Sequence, residues 1–227
     1  TNSPGRGGDA TALFLPPQAR PGTAPPHPRR RDSALGEAPP RIARPWTGAR
    51  IVGRPSGPHF NPAWTFRPDE TLEDGARLKA GDSTLRALHT PGHLGNHICL
   101  IAGDVVFTGD HVMGWAASIV SPPDGDLGAY MNSLDRLGAV PARRFLPGHG
   151  APVDDPAERV DWLLRHRRGR EAEILSRVDA AGADVAGLTR AIYTEVPEAL
   201  MGAAARNVLS HLLDLAHRGI VEADPAP

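Results

Sequence analysis

Cysteine is nearly absent: Cys99 is the only one, so no intrachain disulfide can staple the fold. It lies in the apolar run His97-Ile98-Cys99-Leu100-Ile101, where an inert buried thiol is expected rather than a nucleophile. Lysine also occurs once, at Lys79, so arginine carries almost all the positive charge. The 25 basic and 26 acidic residues leave a formal net charge of −1, so no global field draws the chain to nucleic acid or to an anionic membrane. No stretch approaches the roughly 18–20 apolar residues of a membrane-spanning helix. The apolar piece Ala12-Leu13-Phe14-Leu15 runs straight into Pro16-Pro17 and is too short for a signal-peptide core. These absences lead to the expectation of a cytoplasmic protein with no membrane partner. What is present suits a folded chain: 40% hydrophobic and 22% charged residues over 227 positions suffice for one α/β domain and a small appendage.

Residues 1–33 differ from the rest. They are rich in Pro, Gly and Arg, with Arg29-Arg30-Arg31 after Pro25-Pro26-His27-Pro28, and they carry no helical or strand period. Such a segment buries little apolar surface and is expected to be disordered. Residues 34–155 read as α/β. Ile51-Val52 is a short strand, and 56–70 is a loop containing Pro58, Pro62 and Pro68. Arg77–Lys79 and Leu85–Leu88 alternate around Gly81-Asp82, and His97–Ile101 and Val105–Phe107 flank Ala102-Gly103-Asp104, giving two hairpins. Arg144–Leu146 is a further strand, and Leu127–Leu137 has helical spacing with Tyr130, Met131, Leu134 and Leu137 on one side. Residues 156–227 are helical. One helix starts at Pro156, capped by Asp154 or Asp155, and runs past Leu175. Leu188–Tyr193 follows, then a helix from Pro197 to about His217 with Leu200, Ala204, Val208, Leu212 and Leu215 in step, then Gly219-Ile220-Val221 as a short strand. Two helices and a strand predict a small helical or winged-helix cap.

Three segments share one design: a strand, a tight Gly-containing turn, then a side chain able to bind a metal. They are Leu88-His89-Thr90-Pro91-Gly92-His93, Phe107-Thr108-Gly109-Asp110-His111 and Phe145-Leu146-Pro147-Gly148-His149-Gly150. Strand ends hold side chains rigidly, and imidazole and carboxylate are the usual ligands of zinc and similar ions. His97 and His111 read as structural or supporting histidines, and His89 as structural. The motifs HTPGH, FTGDH and PGHG resemble the later motifs of the metallo-β-lactamase superfamily. More narrowly, they resemble its branch of glyoxalase-II-like hydrolases and β-lactamase-like protein 2. Ser121-Pro122-Pro123-Asp124-Gly125-Asp126, Tyr130, Ser133-Leu134, His166-Arg167, Arg170-Glu171, Ile192-Tyr193 and Ser210-His211-Leu212 are similar to that branch too. The resemblance implies an αββα sandwich with a C-terminal winged-helix-like domain. It implies His93 on a first metal, His149 on a second, Asp110 bridging them, and a metal-held hydroxide as nucleophile.

The superfamily's first metal motif, His-x-His-x-Asp-His, does not occur. Pro28-Arg29-Arg30-Arg31-Asp32-Ser33-Ala34-Leu35-Gly36 stands at its place. With Gly36 in register, Asp32 aligns with the motif's aspartate, Pro28, Arg30 and Ser33 stand at the histidine positions, and His27 is one position out. Arginine cannot coordinate a cation. The resemblance therefore leaves Asp32, His93, Asp110 and His149 as metal ligands, with Asp32 and Asp110 also catalytic. That is enough for one Zn2+, while a second ion would need further donors. The N-terminal part of the sandwich is expected to be truncated or degenerate, and residues 1–33 disordered or aberrant, as if read from another frame. The expected function is a zinc-dependent hydrolase of a small ester, thioester, lactam or phosphodiester. The alternatives are an impaired remnant and a ribonuclease-like processor of nucleic acid. The run Arg165-His166-Arg167-Arg168-Gly169-Arg170 motivates the last, though a solvated helix face explains it as well. The loop from Gly114 to Ser121, with Trp115-Ala116-Ala117-Ser118, is expected to face the site.

Overall fold

A computed structural model describes residues 13–15 (backbone only), 50–57, 66–178 and 182–223. Asp32, His27 and the substituted motif segment 28–39 lie outside the described residues.

Two sheets stack. The smaller has the order β1-β2-β3, with β1 (Leu13–Leu15) antiparallel to β2 (Arg50–Gly53) and β3 (Glu70–Thr71) parallel to it. The strand at 13–15 corrects the expectation of disorder for that short stretch: three successive apolar residues find an edge at Ile51 and Val52 on which to pair. The larger sheet has the order β4 (Arg77–Ala80), β5 (Ser83–His89), β6 (Ile98–Ala102), β7 (Val105–Gly109), β8 (Arg144–Pro147). Both expected hairpins form, β4–β5 through Gly81 and β6–β7 through Gly103.

Strand alternation sorts side chains between two cores. Leu85, Ala87, Ile98 and Leu100 meet Val52 and Leu72 between the sheets. Leu88, Cys99, Ile101, Val106 and Phe145 face the other way, against α1 (Leu127–Gly138) and α2 (Pro156–Leu175). Those helices contribute Leu127, Tyr130, Leu134, Leu137, Val160 and Leu163. The predicted side of α1 is the buried one. Asp126 caps α1 by accepting from the Ala129 amide at 2.7 Å, and Asp155, not Asp154, caps α2 through Glu158 at 3.0 Å. Cys99 is fully buried, and burial pushes its thiol pKa up to about 12, in keeping with an inert side chain.

The C-terminal helices α3 (Val185–Ile192) and α4 (Glu198–His217) close a third cluster of Leu188, Val208 and Leu215 around Ile174, near the end of α2. Two expectations fail here. Leu200, in the first turn of α4, is 53% exposed and takes no part in that cluster. Gly219–Val221 forms a turn and not a strand; the Ile220 amide donates to the Leu215 carbonyl at 2.9 Å, finishing the helix end, and no neighbouring strand is there to pair with it among the described residues. Among the described residues, no helix is long and apolar enough to cross a membrane.

Candidate metal centre

Sheet topology gathers the three ligand-bearing turns. β5 and β6 are antiparallel, β6 and β7 are antiparallel, and β7 and β8 are parallel. So β5, β7 and β8 point the same way, and the turns that follow them, carrying His93, Asp110 and His149, leave one edge of the sheet. Parallel pairing sets the last two side by side. The Gly148 amide donates to the Gly109 carbonyl at 2.9 Å, and His149 Nε2 lies 3.4 Å from Asp110 Oδ2. A Cβ on Gly148 would stand 2.9 Å from Asp110 Oδ1, so glycine here leaves the carboxylate its space.

Of the predicted ligands, His93, Asp110 and His149 are among the described residues. His93 Nδ1 lies 2.5 Å from the Ile119 carbonyl oxygen. A carbonyl only accepts, so Nδ1 carries a proton, and in the neutral ring the lone pair that a metal requires lies on Nε2. The backbone of Asp110 is held by Ser118, whose hydroxyl sits against the Asp110 carbonyl and 3.0 Å from that of His111. Asp110 Oδ1 is buried and has no hydrogen-bond partner. A buried carboxylate oxygen without a donor is costly, and a cation is what would satisfy it. His149 is half exposed, with its neighbour Gly150 packed against Trp115, which is 71% exposed. The 114–121 loop therefore does face the site, as the sequence predicts.

Behind this edge the histidines are structural. His97 and His111 are fully buried with ring centroids 5.2 Å apart, and His111 lies against Tyr130 at 4.6 Å. Burial, with a smaller effect from His93, pushes the His97 pKa down to about 3 and that of His111 well below the ordinary range. His89 ends β5 and donates from Nε2 to the Gly95 carbonyl at 3.0 Å. Arg136 and Asp74 grip the same strand end: Arg136 donates to the His89 carbonyl at 2.6 Å and pairs with Asp74 at 2.7 Å, and Asp74 accepts from the His89 amide at 2.7 Å.

The donor chemistry of His93, Asp110 and His149 suits zinc, but no three His, Cys, Asp or Glu side chains form one metal-holding group among the described residues. The structure joins Asp110 to His149 and orients His93; Asp32 would have to come from outside the described residues.

Sequence reasoning missed two arginines. The 165–170 run reads as a solvated face, yet Arg167 is 4% exposed and reaches the Ser118 carbonyl. Arg159, two turns earlier on the same side of α2, donates to the carbonyls of Met113 and Ala116, both at 2.7 Å. The signal was present as spacing: Arg159, Leu163 and Arg167 follow at four-residue steps on the side of α2 that Leu163 buries. Of the other arginines in the run, Arg165 pairs with Asp161 and Arg170 with Glu173.

Comparison with known proteins adds to this geometry. A family model described as "Metallo-beta-lactamase superfamily" matches residues 21–149, and one described as "Beta-lactamase associated winged helix domain" matches 185–226. The chain is similar to "Lactamase-like protein aptB" of Emericella nidulans, 32% identical over 67% of this chain and 55% of that protein. It is also similar to "Beta-lactamase-like protein 2 homolog" of Drosophila melanogaster, 31% identical over 60% of this chain and 47% of the relative. It thus spans about half the length of these curated relatives. Among solved structures, a metallo-beta-lactamase family protein from Thermus thermophilus superposes with a TM-score of 0.62 at 25% identity, covering 70% of this chain and 52% of that one. A beta-lactamase domain protein from Burkholderia ambifaria gives 0.61 at 27% identity, covering 66% and 47%.

Proposed function

The chain belongs to the metallo-beta-lactamase superfamily and carries its associated winged-helix domain, and on that premise we propose that it is a zinc-dependent hydrolase of a small ester, thioester, lactam or phosphodiester. The observation that carries the proposal is the buried, partnerless Asp110 Oδ1 beside His149 Nε2. In this reading Asp110, His149 and His93 Nε2 hold the ion, and Asp32 supplies a further carboxylate. A bound divalent ion would lower the pKa of water and polarise the scissile group. The chain's own residues do the positioning. Ile119 fixes the His93 tautomer, Ser118 holds the Asp110 backbone, and Gly148 keeps a side chain off the carboxylate. Trp115, exposed beside Gly150, is the side chain placed to meet a substrate at the rim. A small-molecule substrate is favoured over nucleic acid because three of the four arginines in the 165–170 run are engaged within the chain.

Zinc content and hydrolysis of a generic thioester and phosphodiester test the proposal. Purified protein is expected to hold zinc and to turn over at least one substrate. Asp110→Ala should lower activity by more than the roughly 10–100-fold typical of losing a ligand-orienting partner. Less than about 0.2 zinc per chain with no turnover would refute it. A second reading, an impaired remnant of the family, is favoured by the want of a three-donor group among the described residues. Zinc uptake without any Asp110-dependent turnover would support that reading instead.

A further inference from the structure

The segment from Met113 to Pro122 touches His93, Asp110 and the neighbour of His149, and three arginines from the C-terminal half hold it down. Ser118 lies against the Asp110 carbonyl, the Ile119 carbonyl takes the His93 Nδ1 proton, and Trp115 packs on Gly150 next to His149. Arg159 of α2 donates to the carbonyls of Met113 and Ala116. Arg206 of α4 donates to Ser121 Oγ at 3.0 Å and the Pro122 carbonyl at 3.5 Å. Between them stands Arg167. One of its terminal nitrogens donates to the Ser118 carbonyl, the other to Asn207 Oδ1 of α4 at 3.4 Å, and the guanidinium lies 5.3 Å from the Tyr130 ring centre.

We infer that Arg167 is a positioning residue for the metal centre, setting the Ser118–Ile119 backbone, and through it Asp110 and His93, according to the placement of α4. This rests on the metal-binding reading given above. Arg167 is almost wholly buried, no carboxylate pairs with it among the described residues, and its Nε has no partner. Burying a charge without a counter-ion is unfavourable unless it serves a specific contact. Packing alone would be served as well by an apolar side chain of similar volume. What such a side chain lacks is the forked donor geometry that joins a strap carbonyl to a side chain of α4. Metal ligands depend on this kind of outer support for their orientation.

The test uses the full chain and zinc alone, with affinity measured by competition against a chromophoric chelator and geometry by the visible spectrum of the Co2+-substituted protein. Arg167→Met keeps the packing and removes the donors; it should weaken zinc binding roughly 10–100-fold and alter the Co2+ spectrum. Arg167→Lys retains one donor and should fall between wild type and Arg167→Met, whereas a packing role predicts no advantage of Lys over Met. If Arg167→Met does not fold, Ser118→Ala removes the hydroxyl that carries the strap's position to the Asp110 backbone, leaving the Arg167 bond to the Ser118 carbonyl and the buried charge in place, and should weaken binding in the same range. Wild-type protein that takes up no zinc overturns this inference together with the metal reading. Zinc bound through Asp110 with unchanged affinity in the Arg167 and Ser118 variants overturns the inference alone.

Discussion

His211 of α4 is 1% exposed, and neither ring nitrogen has a partner. Burial, then the charges of Arg167, Arg170, His166 and Arg218, hold its pKa down to about 3, from an ordinary 6.5. The folded protein therefore keeps His211 neutral where the unfolded chain protonates it. Its contribution to stability is complete above pH 6.5 and is lost as pH falls toward 3, at roughly 1 kcal/mol per pH unit. His97, also at about 3, acts in the same direction. Urea unfolding between pH 7.5 and 5 should show this loss, and His211→Leu should flatten the slope by roughly 1 kcal/mol per unit. An unchanged slope would show that His211 is not buried neutral. The same burial separates the histidines by role. His97, His111 and His211 face the interior, whereas His93 and His149 stand at the sheet edge, partly exposed.

The turn after β5 is where α1 meets the sheet. Gly92 has φ 141°, and a Cβ there would come within 2.5 Å of Tyr130 N. Its carbonyl accepts from Asp126 at 2.9 Å, and Ser133 Oγ donates to the Pro91 carbonyl at 2.7 Å. The glycine is thus required by close helix packing as well as by the backbone angle. Gly92→Ala should cost roughly 3 kcal/mol or more, the upper end of overpacking, because backbone atoms cannot move aside as a flexible side chain could. It should also displace His93 and lower zinc affinity. A thermal midpoint within a degree or two of wild type would contradict this. At this scale the sequence was largely legible. Alternation marked both hairpins, helical spacing marked α1, and an acidic cap followed by proline marked the start of α2. The failures, Leu200 and Gly219–Val221, lie where a helix end meets solvent, and periodicity does not say which turns have a neighbour.

Across the molecule, α2 runs unbroken through two cores, with Leu163 in the main one and Ile174 in the C-terminal one, each fully buried. Unfolding is therefore expected as one transition. Ile174→Ala should cost about 2–5 kcal/mol. It should lower the midpoint seen by tryptophan fluorescence, whose four reporters include Trp115 in the loop and Trp162 in α2, as much as the midpoint seen by far-ultraviolet circular dichroism. Separate midpoints would show that the C-terminal helices melt independently. The sequence by itself determined the α/β class and the family, and it singled out His93, Asp110 and His149 as candidates, because strand period, turn glycines and ligand type are all local properties of the chain. It also showed where the first metal motif is replaced. Only the tertiary structure decided that Asp110 and His149 are neighbours, since that follows from the parallel pairing of β7 and β8. It alone decided that Ile119 sets the His93 tautomer, and that Arg167, one cation in a run that reads as solvated, is buried against the strap. Those are contacts of backbone carbonyls across many residues, and a carbonyl has no signature in a sequence.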